Sequence, residues 1–224
     1  MQRRSILALA AAMALLAPAA HGSVLQFATE DKVTAYNVVP GGTLALKFYL
    51  YETFDAAGGE TAILDDGEGL FSAGLAVVRV GAVPGDPAGI LALADIVPNA
   101  AFNEPTPTIS PLKALDSAGG ASLLENRDIA ESAGVGPENP AADVRRVLLG
   151  TFTFTAGAVA GQTTSFRIAD NDAATQDTAT WADPPLDLDA DIAAFDFAIA
   201  VVPEPGALVL LALAALPAIA RRRR

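Results

Sequence analysis

Between residues 43 and 51 the chain alternates so strictly that its backbone has little choice. Leu44, Leu46, Phe48 and Leu50 fall on one side and Ala45, Lys47, Tyr49 and Tyr51 on the other, the period of an extended strand with one face in a core. The pattern recurs. Leu148, Phe152 and Phe154 oppose Thr151, Thr153 and Thr155; Thr164, Phe166 and Ile168 alternate with Ser165 and Arg167; Phe195, Phe197, Ile199 and Val201 share one side. Weaker versions occupy residues 24–27, 32–36, 70–80 and 89–94. Turn residues separate them at Pro40-Gly41-Gly42, Ala57-Gly58-Gly59, Asp65-Asp66-Gly67, Pro84-Gly85 and across 157–161, where glycine and proline punctuate extended runs. One-sided alternation with short connections predicts an all-β fold, a two-sheet antiparallel β-sandwich.

Residues 98–143 break the rhythm. They are rich in Pro, Gly, Ala and Asn and predict a long, loop-rich insertion on the rim of the sandwich, with a short helix over 121–132.

Composition removes whole classes of chemistry. The chain has no Cys, so it has no disulfide and no thiolate metal site. Its one His, His21, lies beside the expected export cleavage point, which leaves the folded part without imidazole for a catalytic triad, a zinc site or acid–base work. Setting aside Arg3, Arg4, the four terminal arginines and Glu204 leaves 8 basic against 25 acidic residues, a net charge of −17. A field of that sign repels phosphate backbones and excludes nucleic acid as a partner.

Both ends read as targeting segments. Arg3-Arg4 followed by the apolar run 6–17 and by small residues at Ala17-Pro18-Ala19 and Ala20-His21-Gly22 is the build of a secretory signal peptide, placed at residues 1–22. The domain is expected over 23–202. The tail, 203–224, has three parts in order: Pro203-Glu204-Pro205, an apolar stretch, and Arg221, Arg222, Arg223 and Arg224. The prolines hold their segment extended. A helix over 206–220 is about 22 Å long at ~1.5 Å per residue, an undersized membrane span. The arginines stay on the cytoplasmic side and leave the domain outside.

This tail resembles the PEP-CTERM sorting signal of bacterial surface proteins. The resemblance implies recognition by an exosortase with cleavage near the Pro203-Glu204-Pro205 motif, a Gram-negative-type envelope, and association with exopolysaccharide. The order of the domain resembles cohesin-like domains: a Val-Pro-Gly-Gly turn over 39–42 leads into 43–50, and a later Leu-Gly-Thr-Phe-Thr-Phe run over 149–154 is followed by 156–161 and 163–168. That resemblance implies a jelly-roll sandwich of the kind that binds dockerin modules through one sheet face. The 98–143 insertion departs from the simple pattern.

The densest acidic stretch is Asp170, Asp172, Asp183, Asp187, Asp189 and Asp191. Extended, 187–191 sets three carboxylates along one edge, about 6–7 Å apart. A curled loop would let calcium bridge such groups, with Asp170, Asp172, Asp187, Asp189 and Asp191 as candidate ligands. The stretch is not an EF-hand, since Ile192 stands where that loop needs Gly and Ala198 where it needs Glu. The plainer alternative is a solvated acidic loop. Trp181 beside Asp183 and Asp187 keeps a carboxylate-only glycoside hydrolase in view, which needs two carboxyls about 5–10 Å apart across a cleft. Tyr49 and Tyr51 form either a binding stripe or a surface packed under the insertion.

The expected function is that of a non-enzymatic cell-envelope or extracellular-matrix protein with a cohesin-like binding domain. Its expected partners are an exosortase, the membrane through a transient anchor, and exopolysaccharide or another surface protein. The alternatives are a carbohydrate- or calcium-binding module and the hydrolase.

Overall fold

In the computed structural model, which describes residues 22–66, 69–80, 90–102, 108–110, 121–127, 134–170, 178–180 and 185–204, the four strong alternations each form a strand. In chain order the strands are β1 (Val24–Thr29), β2 (Ala35–Val38), β3 (Thr43–Thr53), β4 (Leu70–Val80) and β5 (Ile90–Pro98). Then come β6 (Thr108–Ser110), β7 (Ala121–Arg127), β8 (Glu138–Ala141) and β9 (Val144–Ala156). The last four are β10 (Thr163–Asp170), β11 (Ala179–Thr180), β12 (Ile192–Ala193) and β13 (Phe195–Val201). One helical turn, α1 (Ile63–Asp66), stands where Asp65-Asp66-Gly67 predicted a plain turn.

Two sheets result, and they face each other. The first runs β12-β1-β3-β9-β5, with β8 also on β9; the second runs β2-β13-β10-β4-β7-β6, with β11 also on β4. Phe48, backed by Phe152, and Phe154 from the first sheet meet Phe166 and Phe197 from the second. Phe154 lies 5.2 Å from Phe166 and Phe48 lies 5.8 Å from Phe197, centroid to centroid. Burial of each such ring contributes about 1.5–3 kcal/mol, and offset or edge-on ring pairs add about 0.5–1.5 kcal/mol.

The sheets are mixed rather than wholly antiparallel. β1 pairs with β12, and β13 with β2, in parallel. The reason is topological: β1–β2 and β12–β13 are two segments that each cross from the first sheet to the second, and they lie side by side in the same direction. No hairpin joins them, so nothing imposes antiparallel order.

The expected helix over 121–132 is replaced by β7 over Ala121–Arg127, which pairs with β4 from Ser72↔Arg127 to Val78↔Ala121. An isolated helix of that length is marginal in water, whereas the long edge of β4 offers a row of backbone partners. The expected rim insertion therefore carries strands of both sheets: β6 and β7 in one, β8 in the other.

A bulge corrects one expected face. Phe48 pairs with Gly150 and Tyr49 with Leu148, so Leu149 has no partner of its own on β3. The slip turns Leu148 to the outer side with Tyr49 and brings Val147 and Leu149 into the core, since one residue of register exchanges the faces of a strand. Asn99 seals the irregularity: its backbone N–H donates to the Leu149 carbonyl at 2.9 Å and its side-chain amide to the Leu148 carbonyl at 2.7 Å.

The registers define two ends. Val24, Thr53, Val144 and Ile192 lie at the entry end; Val38, Thr43, Thr155, Thr163 and Val201 lie at the exit end. Among the described residues no helix is long and apolar enough to cross a membrane. The expected signal segment up to residue 21 and the expected membrane helix over 206–220 lie outside the described residues.

Candidate functional site

The outer faces of the two sheets differ, and the difference begins with side chains. On the first sheet, Tyr49 and Tyr51 project outward from β3, yet both are buried. Arg146, from β9, lies over the Tyr49 ring at 4.5 Å and donates from Nη1 to the Tyr51 hydroxyl at 3.3 Å. Its Nε donates to Glu138 of β8 at 2.8 Å, and Nη1 reaches Asp31 at 3.3 Å. Lys32 covers Tyr51 from 5.0 Å, and the Tyr51 hydroxyl accepts the Asp31 backbone N–H at 2.9 Å. Burial opposes the charge on Arg146, but its hydrogen bonds to Tyr51 and Glu138 outweigh that and raise its pKa. Burial, then the charges of Glu30 and Glu138, push the Tyr49 phenol up to about 12. The tyrosines are packing beneath a cap, part of which is the 98–143 insertion. They are not a binding stripe.

Among the described residues no such cap covers β10, β13 and β2 of the second sheet. Its outward positions hold short side chains: Ala35, Ser165 and Ala198 share a row through the pairs Ala35↔Ala198 and Ser165↔Ala198. One ion pair among the described residues crosses this face. Arg167 grips Asp196 with two parallel bonds, Nε to Oδ1 at 2.7 Å and Nη2 to Oδ2 at 2.9 Å, and both residues are exposed. The hydrogen bond from Arg167 holds the Asp196 carboxyl below its usual value. Beside the pair lies a shallow hollow of about 330 Å³ among Thr34, Val80, Ser165, Asp196 and Ala198.

The acidic stretch sits at the entry end. Asp170 closes β10 with both carboxylate oxygens shielded from solvent. Asp189 is buried and accepts the Thr178 backbone N–H at 2.8 Å, while Asp187 accepts the Asp189 N–H at 3.1 Å. Asp187 and Asp191 are exposed and border a pocket of about 380 Å³ whose other walls include Leu25, Ile63 and Leu188. Among the described residues no three acidic side chains gather as a metal site would require. The structure thus brings Asp187 and Asp191 to one pocket and ties Asp189 to the backbone; Asp172, Trp181 and Asp183 lie outside the described residues.

Two further carboxylates organise this end. Glu52, fully buried on the inner side of β3, accepts the N–H groups of Ile63 and Leu64 at 2.7 and 2.9 Å and so fixes α1. Glu60 accepts the N–H groups of Asp55 at 2.8 Å and Gly22 at 3.2 Å. Sequence reasoning missed both. Glu52 left a trace, an acid in phase with the apolar side of the 43–51 alternation.

The tail motif begins at once. Val202 donates to the Val38 carbonyl at 2.9 Å, and Pro203 and Glu204 follow in the open. Pro205 and Arg221 to Arg224 lie outside the described residues.

No protein-family model and no curated protein matches the chain. Solved structures do match over 80% of it. The third cohesin of ScaC from Acetivibrio cellulolyticus, solved in complex with the ScaB dockerin, is 11% identical over 99% of its own chain, with a TM-score of 0.47. CaCohA2 from Clostridium acetobutylicum is 12% identical over 91% of its chain, with a TM-score of 0.44. A type III cohesin module of the ScaE cell-surface anchoring scaffoldin of Ruminococcus flavefaciens is 8% identical over 87% of its chain, with a TM-score of 0.40. At this distance the likeness carries no statement about partners.

Proposed function

We propose that the chain is an exported, non-enzymatic binding module that meets another protein through the uncapped outer face of its second sheet. Exosortase sorts it through Pro203-Glu204-Pro205, and the tail anchors it in the membrane until it is processed. The observation that carries the binding reading is the contrast between the two outer faces. A cation bridging two tyrosines and two acids seals one, while the other presents short side chains around a single bidentate ion pair. A flat surface of short side chains lets a partner backbone approach closely, and Arg167–Asp196 supplies direction without bulk. The absence of His and Cys between residues 23 and 202 supports a role without catalysis. The ordered tail supports sorting.

The test is a photo-crosslinking residue placed at Ser165 in cells, with a second at the exposed Val97 on the first sheet as control. A protein adduct at Ser165 that is lost on Ala198→Arg is the expected result. Equal adducts at both positions would remove the binding face. Deletion of 203–224 is expected to change envelope fractionation, and unchanged fractionation would remove the sorting claim.

A second reading rests on the entry-end pocket, where Asp187 and Asp191 stand beside apolar walls. It is a cation-dependent glycan site serving exopolysaccharide attachment. Calorimetry with calcium and acidic glycan decides it: heat that disappears on Asp187→Asn supports it, and none at all removes it.

A further inference from the structure

Among the described residues the two ends of the sandwich carry different charge, and the tail leaves from the one with fewer acids. Residues 38–46, 153–166 and 197–203 contain no acid and no base, and the registers bring their turns together at the exit end. There Gly41 donates to the Gly157 carbonyl, Ala156 to Gly42 and Gly161 to Val201, so backbone alone ties the turns. Two large apolar side chains stand out of them: Val39 is 36% and Val159 60% exposed. The entry end holds Glu52, Asp55, Glu60, Asp65, Asp170, Asp187, Asp189 and Asp191.

The tether is short. Val202 is still bonded to Val38, so only residues 203–206 separate the last anchored residue from the apolar stretch that begins at Ala207. Fully extended, four residues reach about 13 Å. A domain held that closely cannot tumble freely above a bilayer; one of its surfaces must meet the lipid headgroups.

We propose that the exit end is that surface. While the tail is anchored, Val39 and Val159 sit among the headgroups of the membrane and the acidic entry end points away from it. This rests on the anchoring reading of the tail. Charge favours the orientation, because anionic headgroups repel the entry end within about one Debye length, ~8 Å at physiological salt, and find no acid on the described turns 39–42 and 157–162. Exposed valines gain by leaving water at the interface. The bidentate Arg167–Asp196 face then stands side-on to the membrane and stays open to a partner.

The absence of cysteine makes the test direct, since each introduced thiol is unique. The full chain carrying Val159→Cys or Leu186→Cys is labelled with an environment-sensitive fluorophore and reconstituted into vesicles of phosphatidylethanolamine and phosphatidylglycerol. Leu186, 47% exposed, marks the entry end. The expected result is a blue-shifted emission quenched by headgroup-spin-labelled lipid at residue 159, with neither change at 186. Val39→Asp in the Val159→Cys chain is expected to reduce the shift while the protein still floats with the vesicles. Flotation with the same water-like emission at both sites overturns the orientation and leaves the anchor standing. Failure to float at all overturns both.

Discussion

The entry and exit ends of this sandwich fasten the turns between strands with different mixtures: backbone bonds serve both, and the entry end adds side-chain carboxylates. At the entry end carboxylates act as struts: Glu52 holds α1, Glu60 holds the 55–60 turn, and Asp189 holds Thr178. At the exit end the peptide groups fasten one another, and Gly41 and Gly161 adopt positive φ of 69° and 88° so that they can. Strand ends leave backbone donors that must be satisfied, and an acid or a glycine turn does so equally well. What differs is the sensitivity that follows. A strut of side chains answers to substitution of its carboxylate, while a backbone clasp answers to conformation alone.

The largest effect is expected at Glu52. Glu52→Ala leaves the buried Leu64 N–H and the partly buried Ile63 N–H without an acceptor, each costing about 1–3 kcal/mol, so urea unfolding should show a loss of about 2–6 kcal/mol. A neutral outcome would erase the contrast between the ends. Next comes the clasp: Gly161→Ala has open space around its new methyl group but forces an L-residue to positive φ, at a cost of about 1–2 kcal/mol. That loss, read by the same urea unfolding, involves no side-chain acceptor, which sharpens the comparison.

Alkaline pH probes the cap beside the struts. The Tyr49 pKa is raised from 10.0 to about 12, so its contribution is intact below pH 10 and is lost as pH rises towards 12. Absorbance titration should show the Tyr49 phenolate forming only at the upper end of that window, and Arg146→Ala, which removes a cation that favours the phenolate, should push it later still. The smallest effect is at the exposed ion pair. Because the folded pKa of Asp196 is lowered by Arg167, the pair's stabilisation is present above the usual carboxylate range and lost as pH falls through the lowered value. Solvent screens such pairs. Arg167→Gln should leave the unfolding midpoint where it is and move the Asp196 titration upward, as read by NMR.

Much of the framework could be read along the chain. Period-two runs at 43–51, 148–155, 164–168 and 195–201 became β3, β9, β10 and β13 because alternation is a local property of a half-buried strand. What depends on distant partners could not. The bulge at Leu149 exists because Asn99 and β3 meet there, and no local signal marks it. β7 is a strand because β4 offers it an edge. The parallel pairs arise from two segments at opposite ends of the chain. The same logic governs the candidate site. The acidic stretch was visible as composition, but which acid faces a pocket and which holds a backbone N–H is decided by folding. Arg167 and Asp196 carry no mark in sequence that they will meet.

The side-by-side course of β1–β2 and β12–β13 has a consequence for how the molecule comes into being. Ala35 waits for Ala198, and β2 has no neighbour of its own until nearly all of the chain has been made. Contacts of such long separation form slowly. On the export route proposed above, a chain that crosses amino-terminus first carries an open strand edge through most of its transit, a known invitation to pair with strangers. The closing strand arrives immediately ahead of Pro203-Glu204-Pro205, so completion of the fold and arrival of the tail become nearly one event.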